Sequence, residues 1–186
     1  MRGLLRKKAI WVGLAFGVVA AMVGLWAFQP WKLWTHSEVN ESLPTEFAAP
    51  ATTGPATGES LSAAVPTMST EAAAPAVLAM GEFVTQEHET RGSASVLSSG
   101  DTRILRLEGF STSDGPDLHI WLSDATAGGE WGKYDDGRYL ALGPMKATDG
   151  NQNYAIPADV DLAGLRSVVV WCDRFNVAFG SAPLVL

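Results

Sequence analysis

The sequence predicts an all-β domain, an antiparallel β-sandwich or barrel, preceded by one transmembrane helix and a disordered linker. Three observations predict it. Residues 9–28 form an uncharged run of twenty, AIWVGLAFGVVAAMVGLWAF. Residues 35–80 are rich in Pro, Ala, Thr, Ser and Glu and show no sustained hydrophobic period. From Gly81 onward, short β-branched and aromatic runs alternate with Gly, Asp, Asn and Pro turns, the texture of short strands rather than helices. Charge divides the chain at the same places. Residues 1–34 carry Arg2, Arg6, Lys7, Lys8 and Lys32 and no acid, and residues 35–80 carry five Glu and no base. Residues 81–186 carry eight bases and fifteen acids. A surface of that sign repels phosphate, so the folded part is not expected to bind nucleic acid. Its 106 residues fit one compact domain rather than a multidomain enzyme.

The first zone, residues 1–34, reads as a cytoplasmic basic tip and a membrane anchor spanning residues 9–28. Twenty apolar residues suffice for a helix to cross roughly 30 Å of hydrocarbon. Four bases precede the run and only Lys32 follows it closely. This bias places the amino terminus in the cytoplasm and residues 35–186 outside a cell membrane. Trp26, Trp31 and Trp34 sit at the far end, where indoles favour the headgroup layer. A cleaved signal peptide would export the same residues, but this run is longer than an ordinary signal core.

The second zone, residues 35–80, reads as a spacer, because its composition cannot bury enough apolar surface to offset the entropy of ordering it. Asn40-Glu41-Ser42 matches the short N-glycosylation pattern.

The third zone supplies the strands: Ile104-Leu105-Arg106-Leu107, Leu118-His119-Ile120-Trp121-Leu122, Tyr139-Leu140-Ala141-Leu142, Tyr154-Ala155-Ile156, Ser167 to Cys172, and Val177-Ala178-Phe179. Asp161-Leu162-Ala163-Gly164 reads as one short helical turn. Period two places Val168, Val170 and Cys172 on one face and Val169 and Trp171 on the other. It likewise groups Leu118, Ile120 and Leu122 opposite His119 and Trp121.

Several chemistries are absent from the sequence. There is no phosphate-cradling glycine loop and no Gly-x-Ser-x-Gly elbow. Asp149-Gly150-Asn151-Gln152-Asn153 opens like a calcium loop, but Tyr154 stands where the turn needs Gly and Val160 where a bidentate Glu belongs. With one cysteine and three histidines, no metal site is expected. Cys172 is the informative residue, since an exported chain with one cysteine cannot close an internal disulfide. Three readings stay open: an inert buried hydrophobe, a reactive thiol, or a thiolate ligand to a metal or haem with His119, His88, Met145 or Met80 as partner.

Colinear motifs across residues 81–186 resemble the DM-thirteen domain. They begin with Gly81-Glu82-Phe83, His88, Gly109-Phe110, Gly115-Pro116-Asp117-Leu118 and Trp121-Leu122-Ser123. They continue with Leu142-Gly143-Pro144-Met145-Lys146, Gly150-Asn151-Gln152-Asn153-Tyr154, Ile156-Pro157, Ser167 to Cys172, Arg174-Phe175 and Phe179-Gly180. The resemblance implies a β-rich extracytoplasmic domain whose characteristic cysteine maps onto Cys172. It also implies electron transfer or oxidative modification at the cell surface, since in animals such domains accompany DOMON domains and membrane cytochromes. The cysteine would act there as a bare thiol or as a ligand to a prosthetic group. The expectation is therefore a bilayer-anchored domain with a thiol- or haem-based electron-transfer role centred on Cys172, with His119 and His88 as further cofactor-binding candidates. Its partner would be an envelope or membrane redox protein. The competing expectation is a non-catalytic envelope binding module in which Cys172 belongs to the core.

Overall fold

A computed structural model describes residues 2–29, 35–47 and 75–186. Helix α1 runs Arg2–Phe28. Gln29 follows it at φ 42° with its N–H on the Leu25 carbonyl, a left-handed stop that satisfies one terminal carbonyl. The expected transmembrane helix over residues 9–28 is not found as such. Side chains in this segment are described only at Trp11 and at 13–26, and among the described residues no helix is long and apolar enough to cross a membrane.

Among the described residues, ten strands make two five-stranded sheets: β1 (Glu38–Asn40), β2 (Ala76–Glu82), β3 (Val84–Thr85), β4 (Arg91–Ser99), β5 (Thr102–Ser111), β6 (Leu118–Ser123), β7 (Tyr139–Pro144), β8 (Asp149–Ile156), β9 (Ser167–Cys172) and β10 (Val177–Pro183). One sheet has the order β1-β8-β5-β4-β2, the other β3-β10-β9-β6-β7. All pairings are antiparallel except β1 with β8. The expected antiparallel sandwich is what forms. Its core takes Val96, Leu105, Leu107, Phe110 and Tyr154 from the first sheet, and Leu118, Ile120, Leu122, Val168, Val170 and Cys172 from the second. Strand β9 lies between β6 and β10 and is buried on both faces, which is why its run of β-branched residues is continuous.

Two expectations need correction. The spacer does not begin at residue 35. Residues 35–47 are laid along the first sheet, with β1 in register Glu38↔Asp149 to Asn40↔Asn151. The physical reason is backbone pairing at a free edge, which needs little hydrophobicity in the added strand. Strand β2 also starts inside the expected spacer, at Ala76; residues 48–74 lie outside the described residues. The expected helical turn at 161–164 is a tight turn, closed by the Leu165 N–H on the Leu162 carbonyl at 3.1 Å.

Candidate functional site

The second sheet positions Cys172 and His119. Register pairs Leu118 with Cys172 and His119 with Trp171, and neighbouring strand residues point to opposite faces. Cys172 therefore enters the interior with Leu118 and Val170. His119 stands on the outer face with Trp121 and Trp171. The structure does not bring the two together as a ligand pair.

Cys172 ends β9 and is fully buried. A turn over residues 173–176 follows, with Asn176 at φ 56° and its N–H on the Cys172 carbonyl at 2.8 Å. Asn tolerates this left-handed conformation better than most residues. Burial pushes the thiol upward from its ordinary value, while backbone hydrogen bonds from Phe175, Arg174 and Asp117 pull the other way. The Asp117 carboxylate adds to the upward push. Desolvation wins, so the resting sulfur is a protonated thiol, and hydration would remove the largest penalty on its thiolate.

A cavity of about 210 Å³ lies beside this site, walled by the 114–118 loop with Pro144 and Met145. Gly115 lets the loop pack closely, because a Cβ there would stand 3.0 Å from Leu118 Cγ and Phe179 Cζ. No atom of Cys172 lines this cavity, which matters for a prosthetic group. Haem ligation needs one open face at the donor and a cleft for the macrocycle, and the sulfur has neither. The residues present do not fit a haem at Cys172. Met145 packs against the core near this loop, whereas Met80 is exposed on β2 of the other sheet.

His88 lies against the Phe179 ring, centroids 4.0 Å apart, and is half-buried. Burial lowers its pKa below the ordinary histidine value, against an upward pull from Glu87. Its contribution to stability is therefore complete above the ordinary histidine range and is lost as pH falls through the folded value. In an NMR titration the His88 ring should show a midpoint below that of an unfolded peptide, and Phe179→Ala should raise it. A midpoint at or above the peptide value would contradict the packing.

The sequence did not reveal a third constellation. His119 Nε2 is 3.0 Å from Asp117 Oδ1 and 3.4 Å from Asp173 Oδ2. Ligand atoms of the three residues lie within 4.8 Å of one another, the one such set among the described residues. The Asp173 N–H donates to the Asp117 carbonyl at 3.0 Å, fixing the two acids around the imidazole. Such a set has the donor types for a divalent cation. Asp173 reaches His119 only through β6–β9 pairing, so spacing along the chain carried no signal.

Behind His119 the outer face is aromatic. Tyr139 stacks on Trp121 at 4.0 Å, and Trp121 on Trp171 at 4.9 Å. Tyr134 meets Trp171 edge-on at 6.4 Å. The Tyr134 hydroxyl donates to Gln86 Oε1 at 3.0 Å and accepts from the Ser181 hydroxyl at 2.9 Å, which satisfies a fully buried phenol.

Comparison with known proteins adds one finding. The family model described as Electron transfer DM13 matches residues 82–184. No curated protein and no solved structure matches.

Proposed function

Since the chain belongs to the Electron transfer DM13 family, we propose that it is an electron-transfer domain in which Cys172 acts as a shielded thiol rather than as a haem ligand. The observation that carries this is a fully buried sulfur at the very end of β9, followed directly by the 173–176 turn, whose side chains are exposed. Opening that turn would hydrate the sulfur and remove the penalty that keeps it protonated. The thiolate could then attack a partner's disulfide, forming one sulfur–sulfur bond and releasing the partner's thiolate. Net transfer of the electron pair requires a second thiol from a separate donor, a free thiol or a second copy of the chain, which attacks the mixed disulfide at Cys172 and releases the partner's second thiolate, because the chain has no other cysteine.

The test uses the native full chain and an activated aromatic disulfide at neutral pH. One equivalent of aromatic thiolate should be released from the native protein and none from Cys172→Ser. Release only after unfolding would favour the second reading, an interaction module with Cys172 as a core residue. The complete burial of Cys172 supports that reading.

We also propose that α1 anchors this domain in a cell membrane, with residues 35–186 outside. Support comes from the uncharged run 9–28, from the bases before it, and from exposed apolar side chains such as Trp11, Phe16 and Trp26, which water disfavours. A protease should remove a tag inserted after residue 60 from intact cells or spheroplasts. A tag protected there but cleaved in permeabilised cells would reverse the orientation.

A further inference from the structure

The outer edge of β8 is built to hold a peptide. Gly150 sits at φ +103°, and a Cβ there would stand 2.1 Å from the Val39 carbonyl oxygen. Only glycine admits a neighbouring backbone so closely. Next to it, the Asn151 N–H and Nδ2 donate to Asn40 Oδ1 at 3.2 Å and 3.1 Å. Asn153 Nδ2 donates to the Ser42 carbonyl at 2.8 Å. The Glu41 carboxylate accepts from Lys146 Nζ at 2.8 Å and 2.9 Å and from the Asn153 N–H at 2.6 Å. Arg106, 6% exposed, donates to the Glu41 carbonyl at 2.7 Å. Six residues beyond Glu41, Phe47 is buried and lines an apolar cavity with Val77, Met80 and Leu97.

Backbone pairing, a clamp for one carboxylate and a pocket for one aromatic ring are the parts of a strand-addition site. Arg106 ties the 35–47 segment to the sheet, donating to the Glu41 carbonyl while it also reaches Asn153 Oδ1 at 3.0 Å and Glu108 Oε1 at 3.4 Å. We infer that the β8 edge is a recognition site for an extended acidic peptide, and that its occupant is the chain's own segment 35–47, bound in cis as a separable ligand. The residues that form the edge fall within the family match, whereas the segment lies outside it.

A fluorescent peptide of sequence THSEVNESLPTEF, residues 35–47, is titrated into the full chain and into its Glu41→Ala variant, with anisotropy as the readout. The variant, whose own segment is loosened, should bind the peptide at least tenfold more tightly than the wild type. A peptide carrying alanine for Glu41 should bind the variant at least tenfold more weakly. Equal or absent binding to both proteins, with circular dichroism showing the variant folded, would overturn the inference. Should the variant not fold, hydrogen exchange of the wild type decides. Amides of Val39 and Glu41 should exchange at least a hundredfold faster than those of Leu105 and Leu107, as a separable segment requires. Exchange of all four together, through global unfolding alone, would make the segment an integral strand and overturn the inference.

Discussion

Replacing Trp171 with alanine is expected to cost about 3–5 kcal/mol, in the range measured when large aromatic side chains are removed from cores. The side chain is 1% exposed and is gripped between Trp121 and Tyr134. It packs in a cluster behind the sheet with Trp121, Tyr134, Val169 and Ala178. The Tyr134 hydroxyl ties Gln86 and Ser181 together, so the cavity would also loosen a buried polar network. A domain of this size should lose more than about 10 °C in melting temperature. Trp131→Ala serves as the control, since that side chain is 46% exposed and its removal should change stability by less than about 0.5 kcal/mol. Urea unfolding followed by far-ultraviolet circular dichroism measures both. Equal effects of the two substitutions would mean that the outer face is not a packed layer.

Gly81→Ala should destabilise the domain by about 3 kcal/mol, at the upper end for overpacking. Strand β2 belongs to the first sheet and β3 to the second, so the chain crosses the sandwich at Phe83. At that seam a Cβ on Gly81 would stand 2.0 Å from the Pro183 carbonyl oxygen and 3.0 Å from its carbon. The obstacle is backbone, which cannot swing aside as a long side chain can. Gly81 pairs with Ala94 in β4, and Pro183 with Ser167 in β9, so relief requires shifting one sheet against the other. Gly100 provides the contrast, because a Cβ there meets nothing within 4 Å; its φ of +55° still adds a smaller backbone cost. If the two alanines cost the same, the close approach at the seam is wrong.

The inner and outer faces of β9 were legible in the sequence. Val168, Val170 and Cys172 do enter the main core, and Val169 and Trp171 a second cluster behind the sheet, because alternation along a strand is a local property. Strand β4 was not legible. Its sequence, RGSASVLSS, is mostly small and polar, and only Ala94 and Val96 are buried. Strand β1 was hidden for a related reason. Glu38-Val39-Asn40 has one apolar residue, and its partner lies more than a hundred positions away, so neither pattern nor proximity marks it. At the candidate site the sequence singled out Cys172 as the unusual residue, and the structure buries it completely. It could not show that His119 turns away from the sulfur toward two aspartates, since that follows from strand register. Nor could it foresee that the turn after Cys172 closes back onto its carbonyl through the Asn176 N–H.

The central claim is that the Cys172 sulfur becomes reachable through a local opening of its covering turn. Thiol modification of the native full chain, timed across low urea concentrations, tests it most directly. Local opening exposes little surface, so its rate should hardly change with denaturant until the global transition approaches. The account predicts that shallow limb, merging with a steep one near the unfolding midpoint. A single steep dependence from zero denaturant upward, matching global unfolding throughout, would contradict it and leave Cys172 a packing residue.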